Sequence, residues 1–90
     1  MWNVTVSRSV DKQFLKLPER VRKQLLALMR AIRIGGPVRG DWPNYGKLST
    51  DKHHCHLKRG QPTYVAVWQE NKTAITVEVI YAGTHENAPY

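Results

Sequence analysis

Acidic residues are scarce in this 90-residue chain: seven Asp and Glu stand against fourteen Lys and Arg, for a formal charge of +7. A field of that sign attracts phosphate backbones, anionic lipid or an acidic protein segment, and it disfavours cationic partners. Cysteine is nearly absent. Cys55 stands alone, so no intramolecular disulfide can form, and the expected setting is the reducing cytoplasm. No apolar run approaches the roughly 20 residues that a membrane helix needs. The opening "MWNVTVSRSV" lacks a charged segment ahead of a long apolar one, so neither secretion nor membrane insertion is expected. Internal repeats, linkers and low-complexity runs are missing too, and the length suits one modest core, a single domain over 1–90.

What is present is periodic. Trp2, Val4 and Val6 alternate with Asn3, Thr5 and Ser7, which predicts a first strand. Ser9 or Asp11 is placed to cap a short helix through about Leu17, and Pro18 suits the start of a second helix. In "PERVRKQLLALMRAIRIGG", Val21, Leu25, Leu28 and Ile32 form a stripe, widened by Leu26 and Met29, and Gly35-Gly36-Pro37 supplies the stop. A turn-rich stretch from Val38 follows, with Trp42 and Tyr45 as expected anchors to the core. Strands are then expected over about 53–58, 64–69 and 74–82, with a small extra strand near Lys47-Leu48. Their short turns imply antiparallel neighbours. The resulting α+β order, β-α-α-β-β-β, predicts two helices covering one face of a mostly antiparallel sheet.

The densest chemistry lies in "HHCHLK", His53 to Lys58. On a strand, a period of two puts His53, Cys55 and Leu57 towards the core and His54, His56 and Lys58 on the open face. A closed zinc site needs four ligands, and the chain offers no CxxC, no second Cys and no HxxxH, so no metal is expected. Imidazoles beside an ammonium suit an anion instead: histidine exchanges protons near neutral pH and lysine stabilises developing negative charge. The last residues, "YAGTHENAPY", add His85 and Tyr90 on a tail that is able to fold back across that open face.

Taken together, the opening strand, the helical pair "VDKQFLKLPERVRKQLLALMRAI", the connection "GDWPNYGKLS", the strand "HHCHLKRG" and the strands "YVAVWQE" and "TVEVIYAGTHENAPY" resemble the RelE/ParE superfamily of bacterial toxins. The resemblance is greater to its RelE-like and HigB-like mRNA endonucleases, and it covers essentially the whole chain. It implies a toxin held by a cognate antitoxin that, once released, cuts mRNA on the ribosome without a metal or other cofactor. The reaction it implies is attack of a 2′-hydroxyl on the adjacent phosphorus. By position, the resemblance implies catalytic roles for His56, Lys58, His85 and Tyr90, the last as a base-stacking aromatic. His54, Arg59 and Lys47 are implied RNA contacts. One departure stands out: where such toxins often carry an arginine just after the aromatic that opens the next strand, Tyr64 is followed here by Val65. Arg59, Arg39 and Lys47 are the available substitutes. Two other readings follow from the same superfamily: a ParE-like toxin that binds DNA gyrase without RNA chemistry, and an inactive member that keeps only antitoxin binding.

Overall fold

The computed structural model describes residues 1–90. Strand β1 (Asn3–Val6) runs straight into helix α1 (Arg8–Gln13), which a 3-10 turn (Phe14–Lys16) extends before helix α2 (Glu19–Gly35). Four strands follow: β2 (Gly46–Lys47), β3 (Lys52–Lys58), β4 (Tyr64–Asn71) and β5 (Thr76–Thr84), with a last 3-10 turn over His85–Asn87. The sheet order is β1-β5-β4-β3-β2. β1 lies parallel to β5, and every other pair is antiparallel.

Local chemistry explains the helix ends. Because no loop separates β1 from α1, the cap falls on Ser7, whose hydroxyl accepts from the Val10 amide at 3.1 Å, and not on Ser9 or Asp11 as the sequence suggested. Leu17 is extended, as a residue before proline must be, and Pro18 sits at the cap position of α2. At the other end the Gly36 amide donates to the Ile32 carbonyl at 2.7 Å. Gly36 has φ +93°, and a Cβ there would meet the Trp2 indole nitrogen at 3.2 Å, so both backbone and space call for glycine.

Val21, Leu25, Leu28 and Ile32 are fully buried and pack with Cys55, Leu57, Ala66, Trp68, Val77, Val79 and Ala82 from the sheet. At roughly 1.5–3 kcal/mol for each large side chain taken from water, this layer is the main favourable contribution to folding. Leu26 does not widen the stripe: it is 54 % exposed, one helical step off the buried line. Trp68 is fully buried, and its indole N–H donates to the Pro37 carbonyl at 2.9 Å, which ties the end of α2 to the centre of the sheet.

Both long hairpins carry an irregularity. In β3–β4 the pairing passes from His56↔Val65 to Lys58↔Tyr64, leaving Leu57 as the extra residue. In β4–β5 it passes from Val67↔Tyr81 to Trp68↔Val79, leaving Ile80 extra. A bulge of this kind restarts the alternation of faces. The face opposite the helices is not bare either: Val65 and Val67 are buried there, Val65 paired with His56 and Gly83, and Val67 with His54 and Tyr81.

Candidate active site

β3 presents His54 and His56 on the face away from the helices, and alternation buries His53, Cys55 and Leu57 on the other. β5 ends at Thr84, and the His85 amide donates to the Thr63 carbonyl at 2.8 Å, which fixes the start of the tail against the β3–β4 loop. The tail then folds across the open face. The His85 ring meets the His56 ring edge-on at 5.7 Å between centroids, and the Tyr90 ring lies 4.7 Å from His54 and 5.8 Å from His85. Four residues singled out from the sequence are thereby gathered into one cluster.

Two glycines make room for it. A Cβ on Gly46 would stand 3.0 Å from Nε2 of His54, and one on Gly83 would stand 2.8 Å from the Tyr81 hydroxyl. That hydroxyl donates to the Thr84 carbonyl at 2.7 Å, bracing the point where strand gives way to tail. Tyr81 and Gly83 escaped the sequence reading, although an aromatic two residues before a glycine at a strand end was a visible signal.

A depression of about 660 Å³ opens beside the cluster, lined by His56, the loop Gly60–Thr63, His85 and Glu86. None of its walls is hydrophobic. The loop was expected only as a turn, and its polar backbone now forms one side of the candidate site.

The imidazoles are tuned by their setting. Burial holds His56 below the ordinary histidine range, and the nearby His85 and Arg59 push it in the same direction. Burial likewise lowers His54, helped by His56 and His85. The Nδ1 atoms of both rings are shielded from solvent and have no hydrogen-bond partner within the chain. Burial chiefly, with Cys55 and Tyr81 adding to it, raises the Tyr90 hydroxyl, which therefore stays protonated at neutral pH. No three His, Cys, Asp or Glu side chains converge as ligands for one metal ion.

Other candidates lie apart. Lys58 does not continue the row of His54 and His56: the bulge at Leu57 pairs it with Tyr64, which packs against the helix-side core, so Lys58 turns to that side. There Lys58 and Arg59 line a groove with Arg20, Lys23 and Gln24 of α2. The Lys58 ammonium stays near the depression, 3.7 Å from where a Cβ on Gly60 would stand. Lys47 lies on the short edge strand opposite His53, outside the depression.

His53 has a different fate. It is fully buried, stacked on Trp68 at 5.7 Å, and its Nδ1 accepts from the Tyr45 hydroxyl at 2.7 Å. Its Nε2 faces Oε1 of Glu70 at 3.4 Å. Tyr45 thus anchors the 38–45 stretch, as its aromatic character suggested, through a histidine that belongs to the core.

No protein-family model and no curated protein sequence matches this chain. Solved structures do. A mutant of the E. coli toxin RelE in the free state superposes with a TM-score of 0.72 at 20% identity, over 97% of this chain and 86% of that one. A metal-bound toxin from Helicobacter pylori gives 0.72 at 22% identity, over 96% and 97%. A chain of an archaeal RelE-RelB complex from Pyrococcus horikoshii gives 0.69 at 14% identity, over 97% and 98%. The helical pair, the mostly antiparallel sheet and the near-complete coverage establish that this chain has the fold of the RelE toxins.

Proposed function

We propose that this protein is the toxin of a toxin–antitoxin pair and acts as a metal-independent endoribonuclease on ribosome-bound mRNA. The observation that supports this best is the His56–His85 pair at the mouth of a polar depression, with an aromatic ring at its side. Cleavage by an internal hydroxyl needs little else. The 2′-oxygen attacks the adjacent phosphorus, its proton passes to a base, and the 5′-oxygen leaves with a proton from an acid. The products are a 2′,3′-cyclic phosphate and a 5′-hydroxyl.

His56, kept neutral at pH 7 by its surroundings, is the base in this reading, and His85 supplies the proton to the leaving oxygen. Lys58 and Arg59, from the rim, offset charge on the phosphorane, and Tyr90 stacks on a base. Val65 gives the reading its shape: where an arginine would add a phosphate clamp, a buried valine supports the histidines from below. With one clamp fewer, the ribosome has more of the positioning to do.

The antitoxin has a surface to meet. On α2, the exposed Leu26 and Ile34 lie with Ala27 and Ala31 between Lys23 and Arg30, which suits an amphipathic segment with acidic flanks. Recovery of no small acidic partner from the native operon would count against that element.

The test is 5′-end mapping of a reporter mRNA in a purified translation reaction with untagged protein. Cuts that appear only with ribosomes support the proposal. Intact mRNA from folded protein would refute it, and growth arrest accompanied by DNA damage would point to gyrase.

A further inference from the structure

Of the basic groove behind the candidate site, only Lys58 and Arg59 enter the chemistry above, and Arg20 and Lys23 have no role in it. Arg20 and Lys23 come from the first turns of α2, Lys58 and Arg59 from the end of β3, and the four close on one groove of about 460 Å³ with Gln24 and Leu57. Residues more than thirty positions apart are thus brought together with one sign of charge. The carboxylates that lie within 4 Å of a basic side chain are Asp41, beside Arg39, and Glu70, beside the His53 ring, so all four cations lack a carboxylate partner. Arg20, Lys23 and Arg59 are exposed. No carboxylate comes within 4 Å of any of them, and an anionic ligand would relieve their mutual repulsion.

The groove's chemistry narrows the ligand. Leu57, its one hydrophobic residue, is only 4 % exposed, so an apolar side chain of a protein partner finds no anchor. The neighbouring groove on α2 differs in having an apolar floor, Leu26, Ala27, Ala31 and Ile34, between Lys23 and Arg30. Repeated unpaired cations without an apolar floor are what a phosphodiester backbone requires, and they read charge and not sequence. The bulge at Leu57 joins the two places, since Lys58 lines the groove while its ammonium approaches Gly60 at the edge of the His56–His85 depression.

We infer that the Arg20–Lys23–Lys58–Arg59 groove is a sequence-neutral binding track for the phosphate backbone of the RNA strand that passes the His56–His85 depression. The inference rests on the proposed function only for the identity of that strand as RNA. Arg20 and Lys23 are binding residues of the track and touch no reacting atom.

The test measures binding without cleavage. A single strand of about 12 nucleotides, 2′-O-methylated so that it cannot be cut, is titrated against the wild type and Arg20→Gln/Lys23→Gln over a salt series. A hairpin of the same composition and a polyglutamate peptide are run in parallel. The double variant is expected to bind the single strand about tenfold or more weakly near 0.1 M salt, with the slope of log affinity against log salt shallower by about 1.4. Its melt should match the wild type's, and Arg20→Lys/Lys23→Arg should restore binding. Unchanged affinity and slope would overturn the inference, as would absence of salt-dependent binding by the wild type. Loss confined to the hairpin would also overturn it, in favour of a separate structured RNA, and loss confined to polyglutamate in favour of an acidic protein segment. Because binding is read on uncleavable RNA, failure here leaves the cleavage proposal standing, and intact mRNA in the cleavage assay leaves the groove standing.

Discussion

His53 and His54 are neighbours in sequence and opposites in structure. His53 points into the helix-side core, stacked on Trp68, with Tyr45 on one nitrogen and Glu70 near the other. His54 points to the other face, where it and His56 keep a nitrogen with no partner inside the protein, under a terminal tail. The His53 ring is fully buried, with the Tyr45 hydroxyl on Nδ1 and the Glu70 carboxylate 3.4 Å from an Nε2 that makes no hydrogen bond. On the other face, His56 and His85 line a depression open to an outside ligand. The difference teaches that a histidine-rich strand is not one feature: the period of two divides it into a half packed in the core and a half on the open face, to which the proposed chemistry is assigned.

That division makes its strongest claim on activity. His56→Ala and His85→Ala should each lower the rate of mRNA cleavage by about 10²- to 10⁴-fold, the usual range for loss of a general acid or base, with melting midpoints close to the wild type. A loss of cleavage accompanied by loss of the cooperative melt would merge the two halves and break the comparison. His53→Ala should do the reverse. It removes a packed ring and leaves the Tyr45 hydroxyl and the Glu70 carboxylate facing a void, so urea denaturation should show a loss of about 3 kcal/mol. Cleavage by the fraction still folded should be near normal.

Acid should act on both halves through the folded state. Burial above all lowers His53, His54 and His56 below the ordinary histidine range, although Glu70 pulls His53 the other way. Protons then bind the unfolded chain more readily. The stability is fully present above the unfolded value near 6.5 and is lost as pH falls below it, towards the lowered folded values. Denaturation curves between pH 8 and pH 5 should show this, and His54→Gln should flatten the dependence. A protein equally stable throughout that range would contradict it.

Smaller effects sharpen the contrast at its edges. Tyr90→Ala, which removes a stacking ring and half uncovers His54, should reduce cleavage about tenfold. In the β4–β5 turn, Ile75 holds φ at +55°, a conformation that a β-branched residue adopts at a cost. Ile75→Gly should therefore raise stability by up to about 1 kcal/mol, offset partly by glycine's greater freedom when unfolded, with no change in cleavage.

Much of the architecture was legible because it depends on period alone. Val21, Leu25, Leu28 and Ile32 stand at helical spacing and are all fully buried, and His53, Cys55 and Leu57 alternate into the core as a strand demands. What escaped depends on single-residue irregularities. The bulge at Leu57 has no signature in "HHCHLK", yet it moves Lys58 from the histidine row to the helix side. The cap on Ser7 depends on how abruptly β1 ends, and the exposure of Leu26 on which flank of the stripe α2 turns to solvent. Of the candidate site, residue types were visible but distances were not. His85 and Tyr90 could be suspected from chemistry, whereas their placement against His56 and His54 follows from the turn after Thr84 and the hydrogen bond from the His85 amide to the Thr63 carbonyl. The basic groove between α2 and the end of β3 was hidden for a further reason: Arg20 and Lys23 look like any solvated helix face until β3 is laid beside them.

The central claim, that the open-face histidines perform acid–base chemistry on RNA, is tested most directly by the ends of the cleavage products. mRNA bound to purified ribosomes is treated with the wild type, His56→Ala or His85→Ala, and the chemistry of the cut ends is read. A 2′,3′-cyclic phosphate and a 5′-hydroxyl are expected from the wild type, and loss of both in each folded variant. Cleavage that leaves a 5′-phosphate, or that persists at the wild-type rate without His56 and His85, would contradict it.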